Sequence, residues 1–113
     1  MRHRYANRED VAKWYGGEVP ATMRAIVIED DGELIAIAGL APEGFITQAF
    51  SEVKPRAKQH PIALGRMAVA FGKMLETVAV PVLAACNPNE PTSSGLLRHL
   101  GFEQHEGAVW RRG

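Results

Sequence analysis

The chain has 113 residues, enough for one domain with one core. It is 46% hydrophobic and 23% charged, and its 13 basic residues balance 13 acidic ones. That balance argues against nucleic acid and anionic membrane as partners, since both select a basic excess. The one cysteine, Cys86, excludes an internal disulfide. The opening Met-Arg-His-Arg-Tyr-Ala-Asn-Arg lacks the apolar run of a signal peptide, and no stretch of about 18 apolar residues is present to span a bilayer. The expectation is one compact cytoplasmic domain over residues 1–113.

Arg2 to Ala6 reads as a short edge strand. Asn7 is a good N-cap, and Asp10 three residues later is a relative of the capping box. Glu9 and Asp10 put negative charge on the first helical turn, where the helix dipole favours it. Val11, Trp14 and Tyr15 form the apolar side of this short helix, and Gly16-Gly17 ends it.

Met23 to Glu29 and Glu33 to Leu40 are two strands joined at Asp31-Gly32, the strongest hairpin signal in the chain. Both are apolar on both faces, so helices should cover the sheet on both sides. Ala41 to Gly44 reads as a turn and Phe45 to Phe50 as the next strand. Ser51 to His60 is polar and basic. Pro61 suits a first helical turn. Leu64, Ala68, Phe71, Leu75 and Val78 then recur at helical spacing, with Met67 and Met74 as core filling.

Val82 to Cys86 is a further strand, and Cys86 is expected as a small core residue. Thr92 to Leu100 is a helix stopped by Gly101, and Ala108 to Arg111 is a last strand carrying Trp110. Trp14 and Trp110 read as packing residues. His3, His60, His99 and His105 lack metal-ligand spacing, so no metal is expected. The order gives an α/β (α+β) fold: a mixed, mostly antiparallel central sheet flanked by helices on both faces.

That order, with Arg4 to Asp10, Glu29-Asp-Asp-Gly-Glu33 and a closing segment from Asn87 to Leu100-Gly-Phe102, resembles the GCN5-related N-acetyltransferase (GNAT) family. The resemblance spans nearly the whole chain. The first helical region, Arg8 to about Val19, is shorter than in fuller members. In that shortened form the chain looks like the small acetyltransferase-like proteins often encoded by tailed phages, which would place it in the host cytoplasm.

The resemblance implies acetyl-CoA as co-substrate and acyl transfer to an amine acceptor; the alternative is a non-catalytic binding, phage accessory or structural module on the same fold. It implies a thioester between diverging fourth and fifth strands, with backbone N–H groups of the fourth strand, ending at Phe50, stabilising the oxyanion. Glu52, just past that strand, is the expected general base, with Glu43 second. The family's Gly-rich pyrophosphate loop is largely missing. Its place falls on Arg56, Lys58, His60, Gly65 and Arg66, with Lys54 nearby, where side-chain charge would replace backbone donors. Asn87 marks the closing turn. Where the family often has a Tyr to protonate the leaving thiolate, this chain has Leu97. The short first helix also leaves room for a homo-oligomer to cover sheet surface.

Overall fold

The structure is a computed structural model and describes residues 2–16, 23–85 and 93–113. Strands β1 (Arg2–Tyr5), β2 (Arg24–Asp30), β3 (Glu33–Glu43) and β4 (Ile46–Val53) run antiparallel, each beside the next. Strand β5 (Val82–Ala85) joins β4 in parallel, and β7 (Val109–Arg112) and β6 (Glu103–Glu106) complete one sheet of order β1-β2-β3-β4-β5-β7-β6. Helix α1 (Arg8–Tyr15) links β1 towards β2, and α3 (Ser93–His99) precedes β6. Parallel neighbours need a long crossover. A 3-10 turn over Pro55–Gln59 and helix α2 (Pro61–Glu76) supply it between β4 and β5. Pro61 takes the first helical position, where its missing N–H costs nothing.

Alternation divides the core into two layers. Ile26, Ile28, Ala36, Ala38 and Leu40 face α2 and pack with Met67, Phe71, Met74 and Leu75. Ala25, Val27 and Ile37 face the other way, against Val11 of α1, with Trp14 and Phe50 at the margin. Burying one such Val, Ile or Leu stabilises by about 1.5–3 kcal/mol, so β2 and β3 are anchored from both sides. The sheet is mixed and mostly antiparallel, with helices on both faces. Asp31 and Gly32 both adopt positive φ, the conformation a two-residue turn between right-twisted strands requires.

Helix α1 is fixed at both ends. The Asn7 side chain accepts from the Asp10 N–H at 2.9 Å, and the Asp10 carboxylate accepts from the Asn7 N–H at 2.9 Å, a reciprocal capping box. The Arg4 guanidinium grips the same carboxylate through two bonds, at 2.5 and 2.9 Å. Asp10 is buried, and the Arg4 bonds hold its carboxyl below the usual carboxylate range. The stability this linkage contributes is therefore present above the unfolded-chain value, about 3.9, and is lost as pH falls through the lowered folded value. Asp10→Asn is expected to destabilise by about 2 kcal/mol at pH 7, allowing for solvent screening at half-exposed Arg4. Thermal melts between pH 7 and 2 check this: the variant should lose less stability than the parent on the acid side.

Three boundaries differ from the sequence reading. Ala41 to Gly44 is not a turn as a whole: β3 runs on to Glu43, and the chain reverses at Gly44 and Phe45, which is 94% exposed. Pro42 lies past the last described pairing with β2, at Leu40, and among the described residues it has β4 alone as neighbour. Proline is tolerated at such an edge. For the same reason of register β4 reaches Val53, so Glu52 lies within the strand, opposite Ile37, and not beyond it. Finally, β6 is an additional strand. All four of its residues are exposed, which leaves no apolar alternation to betray it.

The Leu-Gly-Phe ending has a local cause. Gly101 takes φ 91° after α3, and the Phe102 N–H donates back to the Leu97 carbonyl at 2.9 Å. The turn drives Phe102 into the α2-side core, where Leu97 and Leu100 also pack.

Candidate active site

Among the described residues, strands β4 and β5 pair at Thr47 with Val82, Gln48 with Leu83, and Ala49 with Ala84. From Phe50 to Val53 β4 still pairs with β3, and no described residue pairs with it on the β5 side. The Thr47 N–H donates to the Pro81 carbonyl, on the β5 side, and the Lys54 N–H donates to Ile35, on the β3 side. Since N–H directions alternate along a strand, those of Ser51 and Val53 point to the β5 side. Among the described residues, two backbone donors thus face an opening in the sheet.

Beside this opening a row of side chains stands on the α1 face. Phe50, Glu52 and Lys54 alternate outward from β4 and meet Trp14 and Tyr15 of α1. The Trp14 Nε1–H donates to Glu52 Oε2 at 2.5 Å. The Lys54 ammonium lies 5.1 Å from the Trp14 ring centre. Tyr15 packs edge-on against Phe50, with ring centres 6.2 Å apart. Burial, and secondarily the charge of Glu52, push the Tyr15 hydroxyl above its ordinary pKa, so it stays protonated at neutral pH. Gly39, opposite Phe50 in the ladder, leaves room for the Phe50 ring.

The residues expected to hold the cofactor are distributed unevenly. Phe50 is the first β4 residue past the β5 pairing. Arg56 is engaged by Asp30 at 2.8 Å and by Glu33, at the β2–β3 hairpin. His60 Nε2 is 3.6 Å from the same Asp30 carboxylate. Lys58 is exposed on the 3-10 turn. Gly65 and Arg66 are exposed on α2, where they line a cleft of about 740 Å³ with Tyr5, Ile62, Val69 and Lys73. That cleft borders β1, three strands from the opening beside β4. Asn87 and Cys86 lie outside the described residues. The side chain of Glu43 is likewise outside the description, though its backbone closes β3 opposite Ile46. Leu97 packs against the α2-side core.

No protein-family model matches the chain, and no curated protein sequence matches it. Solved structures do. The chain is similar to Escherichia coli ElaA with a TM-score of 0.67 and 12% identity, over 100% of both chains. It is similar to the ribosomal-protein-S18-alanine N-acetyltransferase of Escherichia coli with a TM-score of 0.67 and 12% identity, over 96% of this chain and 89% of that one. A GNAT superfamily phosphinothricin acetyltransferase from Sinorhizobium meliloti, in complex with AcCoA, matches with a TM-score of 0.56 and 18% identity, over 92% of this chain and 65% of that one. The chain has the GNAT fold.

Within the GNAT fold, the described β4–β5 pairing stops near where the resemblance implies diverging strands, Glu52 lies inside β4 rather than past it, and the contacts of α1 with this strand are additional. Trp14 and Tyr15 belong with Val11 to the apolar side expected of this helix, an expectation that does not include their contacts with β4. Thirty-odd residues of chain separate them from Phe50 and Glu52, yet the sheet brings them into contact. The available signal was the alternation Phe50-x-Glu52-x-Lys54, an aromatic, an acid and an amine on one strand face. Among the described residues no helix is long and apolar enough to cross a membrane.

Proposed function

We propose that this chain is a short member of the GNAT family that binds acetyl-CoA at the β4–β5 opening and transfers the acetyl group to an amine. The observation that carries this reading is that, among the described residues, β4–β5 pairing stops at Ala49. The Ser51 and Val53 N–H groups on that side would hold a developing oxyanion. Glu52, fixed by the Trp14 indole, accepts the proton of the attacking amine, directly or through water. Tyr15, kept protonated beside Phe50, supplies the acid that Leu97 cannot. Phe50 would border the acyl end. Arg56, Lys58, His60, Gly65, Arg66 and Asn87 remain the candidate phosphate contacts. Of these, Arg56 would have to exchange its carboxylate partners for the pyrophosphate.

A second reading, a non-catalytic binding module, draws support from Leu97, which lies in the core at the family's tyrosine position, and from the engagement of Arg56. Two measurements separate them. Acetyl-CoA at about 100 times its Kd is expected to stabilise by about 2.7 kcal/mol, a rise in Tm of roughly 10 °C. With a panel of amines the enzyme reading then requires free thiol release. No Tm shift at millimolar acetyl-CoA overturns both readings of the site, whereas a shift without thiol release favours the module.

A further inference from the structure

Lys54 is a primary amine that touches the α1–β4 cluster. It follows β4 directly, on the strand face that carries Phe50 and Glu52. Its ammonium sits on the ring of Trp14, whose N–H in turn holds Glu52. Its other neighbour is the exposed Glu33 carboxylate, 3.6 Å away, and a pair this open to solvent is worth at most about 1 kcal/mol. Lys54 is therefore weakly tethered and about half exposed, and it directly follows the strand that carries Glu52 and the Ser51 and Val53 N–H groups. A tethered nucleophile has a high effective concentration, and that advantage reaches several powers of ten when the geometry suits attack.

We infer that Lys54 is an acceptor in its own active site and is acetylated in cis by bound acetyl-CoA. The inference rests on the reading given under Proposed function. The step balances as an ordinary aminolysis. The Lys54 ammonium first loses one proton to solvent, and the free amine attacks the thioester carbonyl carbon and passes a second proton to Glu52. An amide C–N bond forms, the C–S bond breaks, and coenzyme A leaves as a thiolate that takes a proton from Tyr15, which solvent then reprotonates. The product lacks the charge that rested on Trp14 and paired with Glu33, so acylation alters the same cluster that carries the reaction.

The other lysines, Lys13, Lys58 and Lys73, provide the internal comparison, because unassisted chemical acetylation would spread over all four. The full chain is incubated with acetyl-CoA near neutral pH, and the acetyl occupancy of each lysine is followed by peptide mass spectrometry. Lys54 should acquire the group at least ten times faster than the other three. Its rate should not depend on protein concentration, and Glu52→Gln should remove its advantage without changing the slow rates at the others. Equal rates at all four lysines, or a rate at Lys54 that rises with protein concentration, would overturn acetylation in cis. A Tm shift with acetyl-CoA accompanied by an unmodified Lys54 overturns this inference alone, whereas the absence of any shift removes the acetyl-CoA reading together with it.

Discussion

Gly39→Ala is expected to destabilise the protein by about 3 kcal/mol, with a fall in Tm of roughly 10 °C. A Cβ at this position would lie 2.5 Å from the Arg24 carbonyl oxygen, 2.5 Å from Phe50 Cζ and 2.9 Å from Ala25 Cβ. The side-chain contact alone could relax by a rotation of the ring. The carbonyl belongs to β2, and moving it strains the β2–β3 ladder where both strands are buried on both faces. The effect should reach the site too, because Phe50 is the residue displaced and Tyr15 rests on it. Gly65→Ala is the matching control. There an added Cβ meets nothing within 4 Å on an exposed helix position. That substitution should stabilise by about 0.5–1 kcal/mol through helix propensity. Paired thermal melts test the contrast, and a Gly39→Ala variant as stable as the parent would contradict the close approach of β2, β3 and Phe50.

Glu52→Gln is expected to lower kcat for amine acetylation by about 10²–10⁴-fold, the range for loss of a general base. The amide is nearly the same shape and its oxygen still accepts the Trp14 N–H, so the cluster should persist. Acetyl-CoA should accordingly raise the Tm of variant and parent alike. A fall in kcat with KM for acetyl-CoA unchanged assigns Glu52 to the chemical step. If both variant and parent turn over at similar rates with the same amine, another group takes the proton.

The parts of this molecule that declared themselves in the sequence are those with a local physical cause. Asp31-Gly32 has one conformational solution between two apolar runs. Asn7 and Asp10 cap a helix whatever surrounds it. Leu100-Gly-Phe102 encodes a left-handed stop followed by a buried ring. The concealed parts depend on neighbours. Strand β6 is held by pairing with β7 alone and shows the composition of a loop. Pro42 falls in the stretch expected as a turn, yet it pairs with Thr47 beyond the last described β2 pairing. The partnership of Tyr15 with Phe50, and of Trp14 with Glu52, arises from tertiary packing: the alternation of Phe50, Glu52 and Lys54 marks a strand face but not its partners on α1. The basic run from Lys54 to Arg66 was legible as charge, but the carboxylates of Asp30 and Glu33 that engage Arg56 come from another part of the chain.

The three-position seam between β4 and β5 also bears on how the chain folds. The β2–β3–β4 meander is made of contacts between neighbours in sequence, which close short loops at small entropic cost. The seam joins segments separated by the whole crossover, and it rewards that closure with few ladder bonds. Nucleation accordingly favours the meander, with β5, β7 and β6 docking late, so the opening beside Ser51 takes shape only as the last part of the sheet arrives. A ligand lodged there would grip both halves of the sheet at their weakest join, and would slow unfolding by holding that join closed.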